Sequence, residues 1–158
     1  MQHLRQSGQL NAAMILRALL SGNVVLFEEA LAELSGLPLD RVTSYIHDKN
    51  ISGIRALYGK AGLPDAAYPA FREAIAAMRD GILVGEQGGV ARLKRRMVER
   101  VLARCAGERD RGMRREDLAS LLALLRRFAV EAAREEARMF CDDLVANDYM
   151  IGDGRLVA

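Results

Sequence analysis

The residues best placed to do chemistry lie between Leu31 and Ile46, in the string L-A-E-L-S-G-L-P-L-D-R-V-T-S-Y-I. Ala32, Gly36 and Val42 have the spacing of a DNA-binding helix-turn-helix: a small residue where two helices cross, a glycine in the turn and an apolar anchor on the second helix. In that arrangement Arg41, Thr43, Ser44 and His47, with Asp40, face the major groove. The plainer reading is a tight helical corner, which needs the same three residues. The second helix is almost neutral, because Asp40 and Asp48 offset Arg41 and Lys49. Phosphate contacts dominate DNA affinity, so a neutral recognition helix is a poor one.

A second candidate is the basic block. Residues 92–115 hold ten basic and three acidic side chains, although the net charge of the whole chain is only +2. On a helical wheel Arg92, Arg95 and Arg96 lie opposite an apolar face of Val90, Leu93, Met97, Val98, Val101 and Cys105, and Arg100 lies on a flank. Such a face suits phosphate, nucleic acid or an acidic protein. It equally suits intramolecular pairing with Glu116, Asp117 and Glu131 of the next helix. No aromatic residue interleaves the arginines, so base stacking has no platform.

The remaining candidates are weaker. Glu136 and Asp143 continue an apolar line and form a catalytic or metal-binding acid pair only if both are buried. No histidine stands near them, as a typical zinc site would need. Gly85-Glu86-Gln87-Gly88-Gly89 precedes a helix but lacks the Lys-Ser/Thr of a phosphate-binding loop. Cys105 and Cys141 have no metal-ligand spacing, and His47 reads as a favourable charge at a helix C-terminus. No catalytic constellation emerges. A non-catalytic protein without metal or cofactor is expected.

These residues must be positioned by helices. Apolar residues recur at intervals of three and four almost throughout. The expected helices are 10–20, 24–35, 39–47, 51–61, one opening near Pro69, 90–106 and 115–146. Inward stripes are expected at Phe27, Ala30, Leu31 and Leu34, at Leu39, Val42 and Ile46, and at Phe71, Ala74, Ile75 and Met78. Gly36 should end the second helix in a left-handed cap. Four glycines between 81 and 89 mark a hinge. The expected organisation is a helical layer at 1–80, the hinge at 81–89, a long helical hairpin at 90–146 and a tail at 147–158, all within one compact domain.

The first half repeats itself. Leu16-Arg17-Ala18-Leu19 returns as Ile54-Arg55-Ala56-Leu57, and Phe27-Glu28-Glu29-Ala30-Leu31-Ala32 returns as Phe71-Arg72-Glu73-Ala74-Ile75-Ala76. Offsets of 38 and 44 residues suit helix-pair units that bury their apolar faces only by stacking. The expected fold is all-α: a two-unit HEAT-like repeat layer followed by the hairpin.

The strings I-L-R-A-L-L-S-G, F-E-E-A-L-A-E-L-S-G-L-P-L-D-R-V, G-I-R-A-L-Y-G-K-A-G-L-P and F-R-E-A-I-A-A-M, spanning about residues 15–80, resemble the alphaproteobacterial domain of unknown function 2336. The resemblance implies a bacterial, all-helical, HEAT-like module with no established enzymatic activity. It supplies no catalytic residue.

The expected function is therefore protein–protein binding as a scaffold or adaptor, with a DNA-binding regulator as the alternative. The expected partners are another protein and, through the C-terminal helices, a second copy. Nucleic acid is the less favoured partner. Two cysteines, a polar Met1–Gln9 and no long uncharged apolar run lead to the expectation of a cytoplasmic protein without a membrane span.

Overall fold

Helical periodicity is realised as helices throughout the computed structural model, which describes residues 12–49, 51–81, 93–107 and 112–153. The chain is all-α, and no strand occurs among the described residues. Helix α1 covers 12–20. It is followed by α2 (Val24–Ser35), α3 (Leu39–His47), α4 (Ile51–Lys60), a 3-10 turn (Asp65–Ala67), α5 (Tyr68–Arg79), α6 (Arg95–Ala106) and α7 (Arg115–Asp153).

Local chemistry sets the ends. Asn23 caps α2, its side-chain oxygen accepting from the Leu26 N–H at 3.2 Å. Gly36 closes α2 at φ +66°, and its N–H donates to the Ala32 carbonyl. Pro38 then starts α3. Nothing lies within 4 Å of a Cβ built on Gly36, so a side chain there has room but the wrong backbone. Gly36→Val should therefore lower stability by roughly 1–2 kcal/mol, the cost of holding an L-residue in the left-handed region. A chemical denaturation curve superimposable on that of the parent chain would contradict this ending of α2.

One apolar core runs through the molecule. It includes Leu16 and Leu19 of α1, Phe27 and Leu31 of α2, Val42 and Ile46 of α3, Ile54 and Leu57 of α4, Phe71 and Ile75 of α5, Met97 and Val101 of α6, and Leu121 and Leu125 of α7. Helices α2, α3 and α4 pack on one another, while α6 packs on both α5 and α7. The Phe27 and Phe71 rings, first residues of the second repeated word, stack at 6.1 Å. Tyr58 joins Phe71 at 5.2 Å and Tyr68 at 5.0 Å. The buried Tyr58 hydroxyl donates to the Pro64 carbonyl at 2.7 Å. Burial, reinforced by the Asp65 charge, pushes that phenol well above its ordinary range.

Several expected details move. On α2 the inward face is rotated: Leu34 is exposed, while Glu28 and Ser35 are buried. Leu39, at the open end of α3, is exposed as well. Helix α6 starts at Arg95 rather than Val90. Leu93 and Lys94 precede it in extended chain, and the Lys94 N–H donates to the Leu20 carbonyl at 3.0 Å. Lys94 is thus no member of a helical apolar arc. Helix α7 runs to Asp153 rather than stopping near Ala146, so most of the expected tail is helix. Apart from Gly81, the 81–89 hinge with its glycine loop lies outside the described residues, as does Arg92.

Candidate interaction surfaces

Glu28 organises the helical corner that resembled a DNA-binding motif. Burial of this α2 side chain brings its carboxylate against α3, where Thr43 Oγ1 donates to Oε2 at 2.9 Å and His47 Nε2 approaches Oε1 at 2.8 Å. A carboxylate oxygen accepts, so Nε2 is the nitrogen that carries the proton. Arg79 at the end of α5 closes the same corner from below. Its Nε donates to the Ile46 carbonyl at 2.8 Å and one terminal nitrogen to the Tyr45 carbonyl at 3.2 Å, satisfying the last turn of α3. Thr43 and His47 are therefore spent on Glu28. Arg41, Ser44 and His47 are exposed. The repeat alignment, which sets Glu28 against Arg72, carried no signal of this role. Its only trace in the sequence is the pairing of one carboxylate with two donors across the corner.

The basic face is held by carboxylates other than those expected. Arg95 donates through Nε to Glu99 and through a terminal nitrogen to Glu136, both at 2.7 Å. Those two bonds hold its guanidinium above its ordinary value. Arg100 pairs with Asp80 at the end of α5. Arg96 is exposed. Glu131 instead pairs with Arg17, and Asp117 pairs with Arg114, the residue just before α7. On this face Arg95 reaches Glu136 of α7 and Arg100 reaches Asp80, while Arg96 and Arg104 are exposed.

The clamp between Arg17 and Glu131 links α1 to α7. The guanidinium is bidentate, with one contact at 2.7 Å, and also lies over the Phe128 ring at 5.8 Å. The Arg17 hydrogen bonds hold the Glu131 carboxyl below its ordinary 4.5. A lowered folded value stabilises the fold above the unfolded pKa, and that contribution is lost as pH falls through the folded value. Both side chains are more than a third exposed, so solvent screening keeps the pair small. Arg17→Ala should cost roughly 1 kcal/mol at pH 7. The gap between parent and variant should shrink steadily below pH 4.5. Urea titrations at neutral and acid pH check this, and a gap constant with pH would count against it.

Glu136 and Asp143 are both exposed, and Glu136 is engaged by Arg95. They do not form a buried acid pair. Cys105 is buried and Cys141 exposed. Among the described residues no cluster of His, Cys, Asp and Glu is arranged to hold a metal, and no helix is long and apolar enough to cross a membrane.

Among the described residues, two apolar surfaces are open. The first is a groove of about 310 Å³ between α1 and α2, lined by Met14, Ile15, Ala18, Leu26, Ala30 and Leu34, with Glu33 at its edge. It is the counterpart of the rotated α2: turning Glu28 inward turns Leu26 and Leu34 outward. The second is the far half of α7. Every residue from Glu136 to Tyr149 is exposed, including Phe140 at 65% and Leu144 at 51%.

The fold and these surfaces define an all-α protein in which the buried and clamped polar groups join helix to helix. The chain belongs to the bacterial family described as uncharacterised protein conserved in bacteria, domain of unknown function 2336, whose family model matches residues 1–111 of the 158. The match reaches past α5 to include α6, and leaves α7 outside. No curated protein and no solved structure matches the chain.

Proposed function

We propose that this protein is a non-catalytic interaction module, a scaffold or adaptor built on a two-unit HEAT-like layer, that binds another protein through the α1–α2 groove. The observation that carries this reading is the groove itself. Met14, Leu26 and Leu34 are large apolar side chains left open to water on adjoining helices. Contiguous apolar surface of that kind is costly in a free protein and is characteristic of binding sites. Its shape, a trough between two helices, suits an amphipathic helix presenting an apolar stripe. Glu29 and Glu33, exposed on α2, add negative charge along one side. The partner helix is accordingly basic on its flank. The DNA-binding alternative has less support, since Thr43 and His47 are both bonded to Glu28.

A photo-crosslinking residue placed at Leu26 tests the reading in the native bacterial cell. The expected result is a discrete adduct whose crosslinked peptide is an apolar-striped helix with Lys or Arg on one side, lost when Leu34→Glu is added. The same smear of adducts from Leu26 as from a control position at Arg41, or an acidic peptide in the adduct, would overturn it.

A further inference from the structure

Helix α7 carries a second apolar line that has nothing to do with its core face. Leu121, Leu125, Phe128 and Ala132 point into the core. Roughly a third of a turn away lie Val130, Ala133, Ala137, Phe140 and Leu144, spaced by alternating threes and fours, the spacing of a coiled-coil seam. Val130, Ala137, Phe140 and Leu144 are exposed. The seam shares no residue with the α1–α2 groove.

This line has two polarities. Past Val130, its small members, Ala133 and Ala137, lie toward the body of the protein, and its bulky members, Phe140 and Leu144, lie toward the free end. Charge follows the same axis. Residues 126–138 hold four arginines, Arg126, Arg127, Arg134 and Arg138, and three glutamates. All three glutamates are tied to arginines of the same chain: Glu131 to Arg17, Glu135 to Arg138 and Glu136 to Arg95. Residues 139–153 hold four aspartates and no basic residue. A parallel partner of the same sequence would set bulk on bulk and aspartate beside aspartate. An antiparallel one sets bulk on small and acid beside base.

We infer that the projecting half of α7 pairs with the same segment of a second copy of this chain, antiparallel, with the two-fold axis crossing near Arg138 and Met139. In this register Phe140 of each copy seats on Ala137 of the other, and Leu144 on Ala133. Arg127 then lies within a turn of Asp148 of the second copy. The bodies of the two copies stand at opposite ends of the shared helical pair. Cys141, one of only two cysteines, sits next to the axis and is the exposed one, so each copy presents one accessible thiol there.

Light scattering over a concentration series should show a mass rising from 17.4 kDa toward twice that value. A flexible bismaleimide should join two chains through Cys141 alone. Phe140→Asp, at an exposed position, should keep its helicity and become monomeric. Arg127→Asp and Asp148→Arg should each weaken association, and both together in one chain should restore it. These two positions are too far apart along α7 to meet within one copy, so the rescue reports antiparallel pairing between chains. A monomer at every soluble concentration would overturn the inference. So would a dimer that survives Phe140→Asp or resists Cys141 crosslinking, or a charge exchange without rescue.

Discussion

Phe71→Ala should reduce the free energy of unfolding by about 3–5 kcal/mol, the range for deleting a fully buried aromatic side chain. Phe71 is 1% exposed and touches aromatic neighbours on two other helices: its ring stacks on Phe27 of α2 and tilts against Tyr58 of α4. Truncation removes both ring contacts and leaves a hole between three helices that are each fixed by further partners. Tyr58 is held by its bond to Pro64, and α3 by the Arg79 cap, so neither collapses easily into the space. A typical domain has only about 5–15 kcal/mol in total, so the variant should sit close to the edge of folding. Urea denaturation gives the number directly. A loss below about 1 kcal/mol would show that the site collapses, and would remove Phe71 from the centre of the core.

Phe71 was legible in the sequence because its word occurs twice and its apolar residues keep helical spacing. The same periodicity supplied the helix order and the all-α class. It misplaced faces wherever a polar residue was the buried one. On α2 the apolar count favoured a stripe through Leu34, whereas the structure turns Glu28 inward because Thr43 and His47 supply two donors for its oxygens. A buried carboxylate with partners costs little, and without them it costs several kcal/mol, roughly. Those partners lie 15 and 19 residues away, on another helix, where periodicity carries no information.

The clamps on the basic face were obscured in a similar way. The wheel separates Arg95, Arg96 and Arg100 from the apolar face, but it does not say which carboxylate stands opposite. That choice depends on where α6 begins and how far α7 extends. Both limits were misplaced: α6 opens at Arg95 because Lys94 is drawn to the Leu20 carbonyl, and α7 continues to Asp153 because no glycine or proline interrupts it before Gly152. The seam on α7 was present in the sequence all along. The apolar line continued through Glu136 and Asp143 extends the core face of α7 and hides the seam, because that face and the line through Phe140 and Leu144 lie only about a third of a turn apart.

Leu125→Ala should cost about 2–5 kcal/mol and should shift the unfolding of the whole protein, not of the α6–α7 hairpin alone. Leu125 is fully buried on α7. The core around it continues through Val101 and Met97 of α6, and α6 packs in turn on α5, which carries Phe71. The Arg17–Glu131 clamp ties α7 to α1 as well. A cavity at Leu125 therefore weakens a core whose apolar contacts are continuous among the described residues, and the loss is shared by helices α1 to α7. Two signals separate the halves. Near-ultraviolet circular dichroism reads tyrosines, and Tyr58 packs on both Tyr68 and Phe71 in a chain without tryptophan. Far-ultraviolet circular dichroism reads every helix, including the 39 residues of α7. In a single cooperative unit both signals move to the same lower midpoint in Leu125→Ala. If the tyrosine transition stays where it is in the parent chain while the helical signal moves, the hairpin unfolds on its own, and the continuity of the core does not carry cooperativity across the α5–α6 contact.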